Sequence, residues 1–112
     1  MSITVKNLTA PVQLGTSITT HYTATNVRAL IDKFTVCNTS AGAVTVDVHL
    51  VPSAGSATTT NQIIAARSLA VNETYTFPEI VGHVLESGST IQAKASAATA
   101  VSLRVSGREV TL

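Results

Sequence analysis

Apolar and polar residues alternate one by one in three stretches of the chain. Val44–Leu50, Ile91–Ser96 and Val101–Ser106 each keep this rhythm over six or seven residues. Side chains of a β-strand point alternately to opposite faces, so each stretch predicts a strand with one face in a core. Apolar residues at helical spacing are nearly absent. The pattern therefore predicts an all-β protein.

Shorter runs predict the remaining strands. They lie at residues 3–5, 19–24, 33–36, 62–69 and 73–77. About eight short antiparallel strands in one sheet would leave an apolar face bare, so a second sheet must cover it. The sequence therefore predicts a β-sandwich or jelly roll. Residues 19–112 are predicted to form this domain, and residues 1–18 an N-terminal arm or a first edge strand.

The segment 78–86 is ambiguous. Pro78 at a helix start, apolar residues at mixed spacing and Gly88 beyond the end are compatible with one short helix. Gly82 in the middle weakens that interpretation. Both a short helix and an irregular connection are therefore open.

Strand parity predicts two hairpins, since a slip of one residue would turn an apolar face outward. In the first, Phe34 pairs with Val46, which places Lys33 opposite Asp47. The same register points Asp32 into the core, where an unpaired carboxylate is too costly. We therefore expect the strand to begin near Lys33, or to contain a bulge within residues 30–32.

In the second hairpin, Ala95 pairs with Leu103 and Ala93 with Val105. Lys94 then lies opposite Arg104, and two like charges in direct opposition are unfavourable. A carboxylate from a neighbouring strand or from another chain would relieve this repulsion.

Few charges are present for a monomer exposed to water on all sides. Charged residues make up 12% of the chain and apolar residues 45%, while the net charge is +1. Surfaces of small soluble domains usually carry about a quarter charged residues or more. This balance favours a surface that other protein covers, through self-assembly or docking on a larger body.

Several other classes of protein fit the sequence poorly. The basic residues are scattered and Trp is absent, which argues against nucleic-acid binding. The N-terminal residues lack the apolar segment of a secretory signal, and no apolar run is long enough for a membrane span. The lone Cys37 cannot form an internal disulfide, which fits synthesis in a reducing cytoplasm.

Residues with catalytic or metal-binding potential are sparse. Asp47 and His49 share a strand face, but a zinc site needs three or four ligands, and the ordinary interpretation is two exposed polar residues. Cys37 adjoins a turn and is predicted to be a strand-end residue. The carboxylates are dispersed and no nucleophile elbow occurs. The sequence predicts no enzyme and no cofactor.

Carbohydrate binding is an alternative that many β-sandwiches support. Sugar rings stack on exposed aromatic side chains, and Tyr22 and Tyr75 are the candidates for such a platform. Phe34 and Phe77 are instead predicted to lie in the core.

Residues from about His21 to Gly107 resemble a group of small tailed-phage and prophage proteins. The shared pattern comprises a Tyr-Thr-Ala start, "FTVCNTSAGAVTVDVHLVPSAG" and "NETYTFPEIVGHVLESGSTIQAKAS". The resemblance implies a virion structural protein, made in the host bacterial cytoplasm, and most specifically a capsid decoration (cement) protein. Tail, neck and fibre components share similar short β domains and are the alternative.

The same resemblance implies the major capsid protein or another virion protein as partner, with the chain acting as a homo-oligomer or a multi-copy layer. The N-terminal segment could add a strand to a neighbour. The predicted interface residues are therefore Ile3, Val5 and Lys6 in that segment, together with Lys94 and Arg104.

Overall fold

The computed structural model describes residues 2–112, which form nine β-strands and no helix. The strands are β1 (Ile3–Gln13), β2 (Thr19–Thr23), β3 (Val27–Asn38), β4 (Val44–Val51), β5 (Gln62–Leu69), β6 (Thr74–Thr76), β7 (Val84–Leu85), β8 (Thr90–Ala95) and β9 (Val101–Thr111). The all-β prediction is confirmed. Three strands are longer than expected, because β1, β3 and β9 have 11, 12 and 11 residues.

Two antiparallel sheets form a sandwich. One has the order β1-β9-β3-β6, with the short β7 also paired to β3, and the other has the order β2-β8-β4-β5. If β7 is left out and the other eight strands are renumbered 1 to 8 along the chain, one sheet has the order 1-8-3-6 and the other has the order 2-7-4-5. This is the winding of a jelly roll, in which the chain passes repeatedly from one sheet to the other.

The core lies between the sheets, where the predicted parity places it. Phe34 and Phe77 are fully buried and their rings meet edge to face, 5.7 Å apart. Nine apolar members of the alternating stretches are buried as predicted: Val44, Val46, Val48, Ile91, Ala93, Ala95, Val101, Leu103 and Val105. Leu50 is the exception and is only half-buried, because the parity of β4 shifts after Val48 and buries His49 and Val51 instead. Sequence parity thus identified the inward face of each central strand.

Both predicted hairpins are wrong, because their strands belong to different sheets. β3 pairs with β9, and β4 pairs with β8 and β5. Lys33 therefore lies opposite Ser106 and not opposite Asp47. Thr39–Ala43 and Ser96–Ala100 connect the two layers, where hairpins would have kept each pair of strands in one layer.

The predicted clash between Lys94 and Arg104 does not occur. Lys94 lies opposite Asp47, with 3.9 Å between Nζ and the carboxylate. Arg104 lies opposite Thr35 in the other sheet. A carboxylate from a neighbouring strand therefore accompanies Lys94, one of the two sources that the sequence suggested.

The bulge within residues 30–32 is confirmed at Asp32. The register between β3 and β9 shifts between Ile31 and Lys33, so Asp32 is exposed and binds Arg108 through two hydrogen bonds of 3.0 Å. Gly107 lies beneath the bulge, where an added Cβ would be 2.1 Å from the carbonyl oxygen of Leu30. Only glycine permits this close approach.

The short helix considered for residues 78–86 does not form. Residues 78–82 make turns, in which the carbonyl of Phe77 accepts hydrogen bonds from Ile80 and Val81. Gly82 then has a φ of 92° and donates to the carbonyl of Ile31. This left-handed residue ends the turn, and the next residues pair with β3 as β7.

Candidate protein-binding surface

The residues with catalytic potential have structural contacts. His49 is buried, contrary to the exposed position expected, and its Nδ1 lies 3.0 Å from both the Thr58 carbonyl and Asn61 Oδ1. Two acceptors at one nitrogen require the proton on Nδ1. Asp47 Oδ1 accepts from the Ala66 backbone N–H at 2.6 Å. His49 therefore stabilises the connection between β4 and β5, and Asp47 stabilises β5 where its register with β4 shifts.

Cys37 is half-buried and lies in register between Ser102 and Thr74 on the outer face of its sheet. Residues 2–112 contain no cluster of three or more His, Cys, Asp or Glu side chains that could hold a metal ion. The same residues include no helix that could span a membrane.

Neither tyrosine presents a free ring face of the kind a sugar would need. Tyr22 is buried, which corrects the exposed position considered from the sequence. Tyr75 is half-buried, and the Arg67 guanidinium lies 4.0 Å from the centre of its ring.

A surface groove of about 430 Å³ lies between the end of β4 and the segment around β7. Leu50, Ile63, Val84 and Leu85 supply its apolar walls, and His83 and Glu86 also line it. It is a shallow feature at the margin of the sandwich.

The first half of β1 is the most exposed apolar segment within a strand. The β1 edge is defined here as residues Ile3–Asn7, which pair with β9 in an unbroken antiparallel register. Ile3 and Val5 are 60% and 77% exposed. Since β1 is the last strand of its sheet, no strand formed by residues 2–112 lies on the other side of the β1 edge.

The hydrogen-bonding direction along the β1 edge follows from its register. The Thr111 N–H donates to the Ser2 carbonyl at 3.0 Å, so this pair is a hydrogen-bonded one. Hydrogen-bonded and non-bonded pairs alternate in an antiparallel ladder. The backbone groups of Thr4 and Lys6 therefore point to β9, and those of Ile3, Val5 and Asn7 point away from the sheet.

The outer face beside the β1 edge is apolar and basic. Val110 lies directly opposite Ile3. Val5 begins a row of opposed residues that crosses the sheet from β1 through Arg108 and Leu30 to Val84. Two ion pairs flank these aliphatic side chains: Arg108 with Asp32, at 3.0 Å, and Arg28 with Glu86, at 2.7 Å. The apolar area is thus bordered by partly neutralised arginines.

A polar chain of contacts supports the β1 edge from the core side. The Tyr22 hydroxyl on β2 donates to the Glu109 carboxylate on β9, and Lys6 Nζ lies 3.4 Å from the same carboxylate. Burial, reinforced by Glu109, raises the pKa of Tyr22, so the hydroxyl keeps the proton that it donates. These contacts join the two sheets near the β1 edge.

The opposite end of the same sheet is closed by a buried amide. Asn38 Nδ2 lies 2.8 Å from the Gly42 carbonyl and 3.1 Å from those of Leu69 and Ala70. Its Oδ1 accepts from both the N–H and the hydroxyl of Ser40. We call these five residues the Asn38 junction. It joins the connection after β3 to the end of β5.

The predicted interface residues lie in three places. Ile3, Val5 and Lys6 fall together on the β1 edge. Arg104 is on the outer face of the same sheet, where it contacts Asn7 at 3.4 Å. Lys94 is on the outer face of the other sheet, so a single flat contact cannot include all five.

Sequence reasoning missed the part of this surface that β9 contributes. Arg108, Glu109 and Val110 continue the strand of Val101–Ser106 as far as Thr111, beyond the point at which it was expected to end. Gly107 interrupted the apolar pattern in the sequence, although it lies within the strand. Glu109 and Val110 then reverse the apolar and polar positions of Val101–Ser106, so the alternation gave no signal of the longer strand.

No protein-family model, no curated protein and no solved structure matches this chain. The resemblance to virion proteins therefore stays a prediction from the sequence.

Proposed function

We propose that this chain is a non-enzymatic structural protein of a tailed-phage virion, most specifically a capsid decoration protein that bridges and stabilises coat subunits. The observation that carries the proposal is the β1 edge, where exposed aliphatic side chains and free backbone groups occur together. Long, uncovered strand edges promote unwanted pairing, and proteins usually block them. A surface that a virion neighbour covers accounts for an edge left open.

The fold supports this proposal by analogy. Double-sheet jelly rolls occur in viral capsid proteins and in lectins. A fold alone does not assign a function, so the weight lies on the surface and on the sequence resemblance.

A decoration protein stabilises a shell through many copies, each bound by a modest contact. Every added contact on a symmetric particle acts at high effective concentration, so weak individual binding produces strong collective binding. Short side chains such as Thr, Ser and Val have few rotamers, so they lose little conformational entropy on docking. The partner in this proposal is the major capsid protein, and the site of action is the assembled virion.

A tail, neck or fibre adaptor is the second candidate, because the same surface would serve a ring of subunits on the tail axis. A carbohydrate-binding module is a further alternative. The buried Tyr22 and the ring contact between Arg67 and Tyr75 weigh against it, since sugars stack on free aromatic faces.

Co-sedimentation with coat shells tests the proposal. Purified protein is mixed with undecorated shells of the phage that encodes it, and we expect it to pellet with them in a saturable manner. Val5→Asp is expected to weaken this binding at least tenfold, because the substitution buries a carboxylate in the contact. Val71→Asp is the matched control, since Val71 is also exposed but lies in a distant turn.

The outcomes separate the candidates. Saturable binding to shells together with cryo-microscopy density on the capsid surface would support the decoration role. Density confined to the tail axis would move the protein to the adaptor class. Absence from both shells and virions would overturn the virion proposal altogether.

A further inference from the structure

The two halves of β1 differ in how they protect the edge of the sheet. The second half contains Pro11, and the register with β9 shifts twice, between Asn7 and Thr9 and again before Val12. Proline and bulges are the usual means of preventing edge-to-edge pairing. Thr9 is also covered, because its hydroxyl donates to the His21 carbonyl of β2 at 3.1 Å. The β1 edge has neither proline nor bulge.

The backbone groups of the β1 edge are suited to pairing with an identical strand. The free groups belong to Ile3, Val5 and Asn7, which follow one another at every second position of the strand. In an antiparallel pair with residue numbers adding up to 10, Ile3 meets Asn7 of a second copy and Val5 meets Val5. All three residues then form hydrogen-bonded pairs, with two bonds in each pair.

We propose that two copies of this chain pair through their β1 edges, antiparallel, with Val5 on the two-fold axis. The β1-β9-β3-β6 sheets of the two copies then become one continuous sheet. This deepens the proposed function and rests on it in one respect: the pair is the unit by which neighbouring copies join on the particle. A two-fold contact of this kind is closed and does not propagate into fibres.

Charge and side-chain chemistry favour this register over its neighbours. Lys6 lies opposite Thr4 of the second copy, and Glu109 already accompanies it. A register adding up to 12 would place Lys6 against Lys6, which like-charge repulsion disfavours. A register adding up to 8 would leave Asn7 opposite residue 1, outside the described residues, and uses fewer of the free groups. In the proposed register, Val5 of each copy contacts Val5 directly and Ile3 diagonally.

One strand pair buries less area than a typical stable dimer interface. We therefore expect self-association that depends on concentration and that the crowded surface of a particle would favour. A covalent trap measures such an equilibrium directly.

Disulfide trapping tests the register. In the full chain with Cys37→Ser, which removes the native thiol, Val5→Cys is introduced and the protein is oxidised mildly. Directly opposed residues in a hydrogen-bonded pair have Cα atoms about 5.5 Å apart, within the range that a disulfide spans. We expect most of the protein to form a cross-linked dimer. Thr4→Cys in the same background is expected to cross-link at least tenfold more slowly.

Two results would overturn the inference. Cross-linking that is no faster for Val5→Cys than for Thr4→Cys would contradict the assigned register. A Val5→Cys variant that stays monomeric under oxidation at high concentration would contradict the pairing itself.

Val5→Pro offers a second test that does not depend on disulfide chemistry. The Val5 N–H points away from β9, so proline there removes a donor needed for pairing and leaves the β1–β9 ladder intact. In sedimentation velocity at increasing concentration, the unaltered chain is expected to shift toward a dimer and Val5→Pro to remain a monomer. Val71→Asp is expected to behave like the unaltered chain, and thermal unfolding confirms that each variant is folded.

The two proposals can fail separately. Pairing in solution without binding to shells or presence in virions would remove the proposed function and keep the self-pairing. Shell binding by a protein that never pairs would remove the self-pairing and keep the proposed function. In that case the β1 edge would be occupied by a strand of the coat protein.

Discussion

The two ends of the β1-β9-β3-β6 sheet handle their polar and apolar groups in opposite ways. At the Asn38 junction, a fully buried amide uses every hydrogen-bonding group it has. At the β1 edge, aliphatic side chains are exposed and backbone groups have no partner strand. The first arrangement stabilises a folded monomer, whereas the second is suited to contact with another molecule. Stability and binding should therefore respond to different substitutions.

Gly107→Ala should have the largest effect, because it disturbs the support of the β1 edge. The new Cβ would meet the Leu30 carbonyl oxygen and lie 2.8 Å from Leu8 Cδ1. Overpacking against backbone costs several kcal/mol, so we expect a loss of about 3 kcal/mol in the free energy of unfolding. Denaturant unfolding measures it. Gly42→Ala is the control, since its Cβ would meet open space; equal losses in both would contradict the close packing.

Asn38→Ala should lower stability by about 2–3 kcal/mol, because the carbonyls of Leu69 and Ala70 lose a donor in a buried site. Ser40→Ala should cost less, about 0.5–1 kcal/mol, since the Ser40 N–H still donates to Asn38. Chemical denaturation measures both. If Asn38→Ala also abolished self-association while the protein stayed folded, the two ends would not be independent.

Tyr22→Phe should cost about 1–2 kcal/mol, because it removes a hydrogen bond to a carboxylate. The raised pKa of Tyr22 means that its contribution is present below pH 10 and is lost as pH rises above that value. Unfolding measured at pH 8 and at pH 10.5 should therefore show a smaller difference between the two proteins at the higher pH. If the difference in the free energy of unfolding between the two proteins grew with pH, the assigned role of the Tyr22 hydroxyl would be contradicted.

His21 should produce the smallest effect. Burial lowers its pKa below the usual 6.5, although the Ala93 backbone, which accepts from the ring, opposes the shift by favouring the protonated form. The unfolded chain then binds a proton more readily than the folded one, so stability should fall as pH drops below about 6.5. His21→Asn should flatten this dependence between pH 7.5 and 5.5 in thermal unfolding. An unchanged slope in the variant would exclude His21 as its source.

Strand parity predicted which residues face the core but not which strands pair. Val46 and Leu103 are buried as expected, because alternation alone decides the face. The five-residue connections after β3 and β8 suit a hairpin as well as a crossing between sheets, so the sequence offered no basis for choosing. Only the two-sheet winding decides that Lys94 meets Asp47 and not Arg104.

Long-range contacts explain most of what the sequence could not predict. Asn38 takes two of its three acceptors, the carbonyls of Leu69 and Ala70, from residues more than 30 positions away, so its contact with the end of β5 has no local signature. β1 was expected only at residues 3–5, whereas it continues to Gln13 through two register shifts that leave no regular pattern in its second half. By contrast, the bulge at Asp32 was one of the two arrangements predicted from the sequence, because an unpaired carboxylate on a core face is too costly.

Residue-resolved hydrogen exchange of the β1 edge tests the central claim most directly. In dilute solution, the amides of Thr4 and Lys6 should be protected by β9, while those of Ile3, Val5 and Asn7 should exchange rapidly. At high concentration, or on coat shells, we expect these three amides to become protected at least tenfold. Unchanged rapid exchange of all three in the assembled state would contradict the role of the β1 edge in binding another protein.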